Sequence, residues 1–226
     1  MNGSFWKKRK AGSVFLAVLL LTTLLAGCGI NEGKEEKYVQ ANLDLTFQGQ
    51  TQEAKEILGA SDSDLKKVYE NGINAFVQDC LLNGVETEND FSETYGVLIK
   101  EIFSSARYQV SGVKKTGSKT CEVTVKYQPV DVFTRFMPKL KEESEKIQAD
   151  KDAGKYSGTD EEIKEAMVLD YMTGAYSLLR SSYLDMQYGE KQEYTFTVTQ
   201  KGRNTWSIGD EELNGFIERI LELDKL

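Results

Sequence analysis

The sequence predicts an α+β fold in which helices cover one face of an antiparallel sheet built from two β-hairpins. Two segments, residues 120–127 and 193–199, alternate polar and apolar side chains, as a strand does when one of its faces is buried. The segments around them repeat apolar residues at helical spacing instead. Because such strands need a cover on their apolar side only, we expect helices on one side of the sheet and solvent on the other.

The N-terminal segment is a predicted export signal. Residues 7–10 are all Lys or Arg, and residues 11–26 carry no charge. Sixteen helical residues would span about 24 Å, which is shorter than the ~30 Å hydrocarbon core of a bilayer. A permanent transmembrane helix is therefore the weaker interpretation. The basic block keeps the N-terminus in the cytoplasm, so we expect the rest of the chain to be exported.

The apolar run ends in Leu25-Ala26-Gly27-Cys28, which resembles the lipobox of bacterial lipoproteins. The resemblance implies transfer of a diacylglyceryl group to the thiol of Cys28 and cleavage before that residue. Two acyl chains on one residue make a stable membrane anchor. The alternative is an ordinary signal peptide that happens to precede a cysteine.

The lipobox divides the chain into three predicted regions. Residues 1–27 are a cleaved lipoprotein signal peptide, and residues 28–37, which are small and charged, are a flexible tether. Residues 38–226 form a single α+β domain, because no linker divides them. The expected location is the extracytoplasmic face of the cell membrane, with the lipid on Cys28 as the membrane contact.

Four helices are predicted before the first hairpin. They have apolar residues every three or four positions, and they cover residues 35–48, 51–58, 61–82 and 90–104. The third of them begins with Ser and Asp residues, which favour helix starts. The first hairpin then pairs residues 107–114 with residues 120–127 through a turn-forming stretch at 116–118.

A long predicted helix, at about 160–187, separates the two hairpins. Thr159 and Glu162 have the spacing of a capping box at its start. The second hairpin turns at residues 201–204, and a last amphipathic helix begins near Asp210. Helices therefore precede, separate and follow the strands.

Residues 141–162 are the strongest candidate for an irregular region. They are highly charged and contain Gly154 and Gly158. We expect a solvated helix end, a turn at the glycines and a new helix start, which together make a protruding arm.

Charge and composition exclude several classes of function. Removing residues 1–27 takes away four basic and no acidic residues, so the remaining chain has 24 Lys and Arg against 36 Asp and Glu, a net charge of −12. Nucleic acid is therefore not an expected partner. The sequence contains no histidine, which excludes Ser-His-Asp and Cys-His catalysis and His-ligated zinc. We predict no catalytic residue, no cofactor and no metal site.

Two short motifs are interpreted as chance matches. Residues 112–119 approach a phosphate-binding loop, but the Gly-Lys-Ser/Thr order is broken and the stretch lies in a predicted hairpin. Residues 63–66 and 115–117 fit two boxes of penicillin-recognising enzymes, but the middle box is absent. The acidic clusters at 160–162 and 210–212 are expected at helix starts, where the helix dipole favours carboxylates.

Two cysteines remain in the predicted domain. Cys80 lies on the apolar stripe of its helix, and Cys121 lies on the apolar face of its strand. Two alternatives stay open: separate buried thiols, or a disulfide bond between them, which an exported location permits.

The long helix at 160–187 is apolar nearly all round and rich in Tyr and Met. Such a helix is usually buried in a core, but Tyr and Met also suit an adaptable ligand pocket. The candidate pocket residues are Tyr171, Met172 and Tyr176 on this helix, with Phe196 and Trp206 of the second hairpin as the facing wall.

The chain after the leader resembles uncharacterised, membrane-tethered lipoproteins of Gram-positive bacteria in the segments YVQANLDLTFQGQ and DLKKVYENGINAFV. This resemblance implies a location and a fold, cystatin-like or nuclear-transport-factor-like, and brings no catalytic motif. The leading hypothesis is a non-enzymatic binding or interaction module at the cell envelope, with an unknown protein or small molecule as partner. The alternatives are a small solute receptor for a transporter and, third, a carboxylate-dependent envelope hydrolase.

Overall fold

The computed structural model describes residues 33–82, 85, 91–202 and 205–226, and within them the predicted α+β class is confirmed. A π-helical turn, Val77–Leu81, continues the third helix, and a 3₁₀ turn, Leu223–Lys225, ends the chain. None of the described helices is long and apolar enough to cross a membrane. The regular elements in chain order are α1 Lys34–Gln48, α2 Gln52–Leu58, α3 Asp62–Phe76, α4 Ser92–Ser104, β1 Arg107–Lys115, β2 Thr120–Gln128, α5 Val132–Asp152, α6 Asp160–Leu184, β3 Gln192–Gly202, β4 Thr205–Ser207 and α7 Asp210–Ile220.

The four strands form one antiparallel sheet in the order β1-β2-β3-β4. Both predicted hairpins are present, and β2 pairs with β3 at the centre, where Val123 lies opposite Phe196. Inner residues of these strands are buried, while their neighbours on the outer face are mostly threonines. The period-two pattern therefore identified which side of the sheet is covered.

Phe216 of α7 joins the helical layer to the sheet. Its ring contacts the rings of Tyr127 on β2 and Phe196 on β3, each with centroids 5.3 Å apart. It also meets Phe47 of α1 edge-on at 5.9 Å. Both Phe47 and Phe216 are fully buried, so α1 and α7 share one apolar layer on the inner face of the sheet.

Hydrogen bonds attach the start of α7 to β3 beyond the short strand β4. The hydroxyl of Tyr194 donates to the carbonyl of Glu212 at 2.9 Å, and the backbone N–H of Thr197 donates to the Glu212 carboxylate at 2.9 Å. Because β4 is only three residues long, the Glu212 side chain satisfies an N–H group on the edge of β3 that has no strand partner there.

A second layer of helices packs against α1. Phe103 of α4 touches Phe47 at 5.6 Å and Phe76 of α3 at 5.1 Å, and Phe76 in turn touches Phe133 of α5 at 5.7 Å. A smaller apolar cluster fills the space between α1, α2 and α3, and it consists of Ala41, Leu45, Ala54, Ala60 and Leu65.

Between β2 and β3 the chain makes a helical hairpin, α5 and α6, where the residue pattern predicts one helix and a charged arm. Between residues 141 and 170 of this hairpin, Ile147 is buried, and the other apolar side chains are half-buried or exposed. The capping box predicted at the start of α6 is confirmed: Thr159 Oγ1 accepts from the Glu162 N–H at 3.3 Å, and Glu162 accepts from the Thr159 N–H at 2.7 Å. The turn contains Gly154 and Gly158, both with positive φ.

Helix α1 begins one residue before the predicted start at 35 and overlaps the predicted tether. The tether was predicted to end at residue 37, but α1 begins at Lys34, so residues 34–37 form the first turn of a helix. Two acids in this turn, Glu35 and Glu36, favour a helix start because they lie at the positive end of the helix dipole.

Gly49→Ala and Gly154→Ala form a matched pair that tests the packing between α1 and α3. Both glycines are left-handed, with φ of 65° and 73°. A Cβ at position 49 would lie 2.7 Å from the Tyr69 ring, whereas none of the described atoms lies within 4 Å of a Cβ at position 154. We expect Gly154→Ala to lower the free energy of unfolding by about 1 kcal/mol and Gly49→Ala by about 3 kcal/mol. Urea denaturation measures both, and equal losses would contradict the close contact with Tyr69.

Candidate functional site

The predicted pocket residues on α6 pack against a tyrosine from α4. The hydroxyl of Tyr95 donates to the backbone carbonyl of Met172 at 2.8 Å, and its ring meets Tyr176 edge-on at 5.6 Å. Tyr95 and Met172 are each 1% exposed, and burial raises the pKa of Tyr95 and of the neighbouring Tyr171. The side of α6 that was a candidate ligand wall is in contact with Tyr95.

The other two candidate residues belong to the sheet. Phe196 on β3 is fully buried between the rings of Tyr194 and Phe216. Trp206 is half-buried on β4, where it pairs with Gln200 of β3 and packs against the edge of the core. Among the described residues, no hydrogen bond or ring contact joins Phe196 or Trp206 to the candidate residues of α6, which are Tyr171, Met172 and Tyr176.

A small cavity lies elsewhere, between the helices that cover the sheet. Its volume is about 20 Å³, which is room for a water molecule rather than an organic ligand. None of the five predicted pocket residues lines it; the lining is Leu45, Thr46, Val68, Tyr69, Gly72, Ile73, Phe103, Leu213, Asn214 and Ile217. Thr46 Oγ1 is buried there without a hydrogen-bond partner among the described residues.

Sequence reasoning missed Tyr95, which packs against α6, and Thr46, which lines the small cavity. Tyr95 belongs to the predicted helix at 90–104, but the carbonyl to which its hydroxyl donates lies 77 residues away on α6. Thr46 lies on α1 between the buried residues Leu45 and Phe47, and a threonine so placed is the one signal that the sequence offered. A local pattern does not indicate which helices surround a side chain.

The cysteines differ in their surroundings. Cys80 lies in the π-helical turn and is partly exposed, and Cys121 is 2% exposed on β2, where burial raises its thiol pKa. No disulfide bond joins Cys80 to Cys121 in the structure. Cys28, the predicted lipidation site, lies outside the described residues.

The acidic side chains do not assemble into a metal centre in the part of the chain that the structure describes. No group of three Cys, Asp or Glu side chains there could hold an ion. Burial raises the pKa of the Glu218 carboxyl, with Asp224 as the next contributor, whereas hydrogen bonds from Lys66 and Thr51 lower the pKa of Asp62. Buried tyrosines, rather than carboxylates, are the main perturbed groups.

Comparisons with known proteins bear on the fold. No protein-family model matches this chain, and no curated protein is significantly similar to it. Among solved structures, the fold is similar to that of YcdA from Bacillus subtilis, a protein proposed to be a lipoprotein. The two chains are 15% identical with a TM-score of 0.54, over 83% of this chain and 56% of YcdA. The chain thus spans little more than half the length of that protein, and the similarity shows a shared fold.

Thr46→Val tests whether the small cavity is dry. Valine keeps the shape of threonine and removes the unpaired hydroxyl, so we expect the free energy of unfolding to rise by about 1 kcal/mol. The control is Thr134→Val on α5, because Thr134 Oγ1 donates to the Asp131 carbonyl at 3.0 Å and its loss should cost about 1 kcal/mol. Chemical denaturation measures both. Destabilisation by Thr46→Val would show that this hydroxyl has a partner in the cavity.

Buried tyrosines predict a loss of stability in alkali. Burial is the largest cause of a raised pKa at Tyr38, Tyr69, Tyr95, Tyr108, Tyr127, Tyr156, Tyr171, Tyr183 and Tyr194, and the value for Tyr156 is about 12.

Above about pH 10 the unfolded chain loses tyrosine protons that the folded chain retains, so the free energy of unfolding falls as pH rises. Urea denaturation between about pH 8 and 11 should show this fall. Tyr108→Phe should make it shallower, because Tyr108 keeps its proton in a hydrogen bond to Asp44. A stability that stays constant across this range would contradict the prediction.

Proposed function

We propose that this chain is a lipid-anchored protein of the extracytoplasmic face of the cell membrane, and that its α+β domain is a non-enzymatic binding module. The observation that carries the proposal is the leader, in which a basic block and an uncharged run end at Leu25-Ala26-Gly27-Cys28. The fold shared with YcdA, itself proposed to be a lipoprotein, supports it.

The chemistry of the domain favours binding over catalysis. The sequence has no histidine, and the described residues include no metal-binding cluster. The acids of α6 and α7 are concentrated in the first turns, where they stabilise the helices. The ion pairs are largely exposed, which is the arrangement of a solvated surface.

Among the described residues, the surface favours a macromolecular partner over a small solute. Tyr95 packs against Met172 and Tyr176 of the candidate pocket, and the cavity beside Thr46 has room for about one water molecule. The α5–α6 hairpin, by contrast, exposes apolar surface, including 46% of Leu169. A solute receptor for a transporter is the second candidate, and a carboxylate-dependent hydrolase the third.

Cys28→Ser in the full chain tests the proposal, with Cys80→Ser as the matched control. Cells expressing each form receive a labelled fatty acid and are then fractionated. We expect the unchanged protein and Cys80→Ser to incorporate label and to stay with the membrane, while Cys28→Ser incorporates none and keeps its leader, because the thiol is the acyl acceptor.

Two outcomes would contradict the proposal. Label on the Cys28→Ser protein would place the lipid elsewhere, and an unlabelled wild-type protein held in the membrane by an uncut leader would indicate a spanning anchor. A small solute that raises the melting temperature of the wild-type protein would favour the receptor alternative.

A further inference from the structure

The basic residues of this acidic chain are unevenly distributed. Two segments, residues 107–121 and 194–209, contain no Asp or Glu, although the chain has 36 acidic residues. Lys114, Lys115 and Lys119 belong to the first segment and Lys201 to the second. The structure places these segments in β1–β2 and in β3–β4.

The four lysines meet at one end of the sheet. The register pairs Thr120 with Thr199, and the backbone N–H of Gln200 donates to the Lys119 carbonyl at 2.7 Å, so the two hairpin tips are adjacent. Lys115, Lys119 and Lys201 are exposed, and the Lys114 side chain is 79% exposed with a long 3.7 Å ion pair to Glu122. We call the exposed group Lys114, Lys115, Lys119 and Lys201 the tip lysines.

The N-terminus of α1 lies at this same end. From Asp44, at the opposite end of the sheet, α1 runs about 15 Å back along β1 and β2 to its first turn. Consistent with this, the charge of Glu35 acts on Cys121, and the charge of Asp210 acts on Tyr38. The C-terminal part of α1 reaches the opposite end of the sheet, where the hydroxyl of Tyr108 donates to Asp44 at 2.7 Å. The first turn of α1 adds no net charge, because it contains two lysines and two glutamates, whereas the first turn of α7 adds three acids, Asp210, Glu211 and Glu212, beside the tip lysines.

The predicted anchor is close in sequence to the start of α1, and therefore to this end of the sheet. The six residues 28–33 connect the predicted lipidation site, Cys28, to the first residue of α1, Lys34. Even fully extended, they span no more than about 21 Å. A lipid on Cys28 keeps this end of the domain near the headgroups.

We propose that the tip lysines dock on the anionic headgroups of the membrane in which Cys28 is anchored, so that the domain stands upright with its acidic bulk away from the lipid. This inference rests on the proposed lipid anchor. A lysine near an anionic surface strengthens binding by about fivefold, and the effect is screened within about 8 Å at physiological salt. Along the strands, Lys126 lies about 20 Å from Thr120 and Lys191 about 27 Å from Thr199, so both are at the other end of the sheet and out of range.

The test uses the lipidated protein, purified from membranes and reconstituted in vesicles of phosphatidylcholine alone or mixed with phosphatidylglycerol. Mass spectrometry of the Cys28 peptide first establishes the lipid. Brief acetylation then measures the reactivity of each lysine. We expect the tip lysines to react about threefold or more slowly in the anionic vesicles than in the neutral ones, and Lys126 and Lys191 to react equally in both. Salt of about 1 M should remove the difference.

A pair of double variants makes the test specific. K115Q/K119Q should restore the reactivity of Lys114 and Lys201 in anionic vesicles, while K126Q/K191Q, with the same loss of charge, should leave their protection unchanged. Trp206 gives a second readout, because it is the one tryptophan after residue 27 and it pairs with Gln200 beside Lys201. Brominated phosphatidylglycerol should quench its fluorescence in the unchanged protein and in K126Q/K191Q, and less in K115Q/K119Q.

Other results would overturn either the docking of the tip lysines or the lipid anchor on Cys28. Equal reactivity in neutral and anionic vesicles, or protection that survives high salt, would overturn electrostatic docking and leave the anchor intact. An unmodified Cys28 would overturn the proposed function. Flotation of that protein with anionic vesicles, compared between the unchanged chain and K115Q/K119Q, would then test the tip lysines by themselves, and equal flotation would overturn the inference.

Discussion

The packing of Phe216 against the inner face of the sheet is the contact on which the described architecture depends. Its ring touches aromatic residues of β2, β3 and α1, so one side chain joins the covering helices to both central strands. Aromatic contacts of this kind contribute beyond the area that they bury. Because α1 and α7 are both held against the same face, the other face is left to polar residues.

This packing also orients the domain relative to its N-terminus. With Phe47 held beside Phe216 and Tyr108 at one end, α1 runs along β1 and β2, and its N-terminal half extends toward the hairpin tips. The hairpin tips and the point where the chain enters the domain consequently lie at one end. Four exposed lysines of an acidic protein thus lie together at the end of the sheet where the chain enters the domain, which net charge alone would not suggest.

The candidate ligand site shows why a residue pattern is ambiguous about function. Tyr and Met at helical spacing suit a pocket and a core equally well, and the difference depends on what lies opposite. The residue opposite α6 is Tyr95 of α4, whose hydroxyl donates a hydrogen bond to the Met172 carbonyl. Phe196 and Trp206 lie on the same face of the second hairpin. Phe196 packs beneath α7, whereas Trp206 packs at the edge of the core.

The sequence by itself determined the α+β class, both hairpins, the capping box at Thr159 and the lipobox pattern, because each is encoded by residues a few positions apart. It indicated a helix end before the charged arm but no helix from residue 132, since Pro138 lies within α5 and proline disfavours a helix interior. Only the tertiary structure decided that Tyr95 fills the space beside α6, that the cavity lies next to Thr46, and that the lysines of two hairpins meet. Those relations join residues far apart in the chain, and they depend on the packing of whole elements rather than on local periodicity.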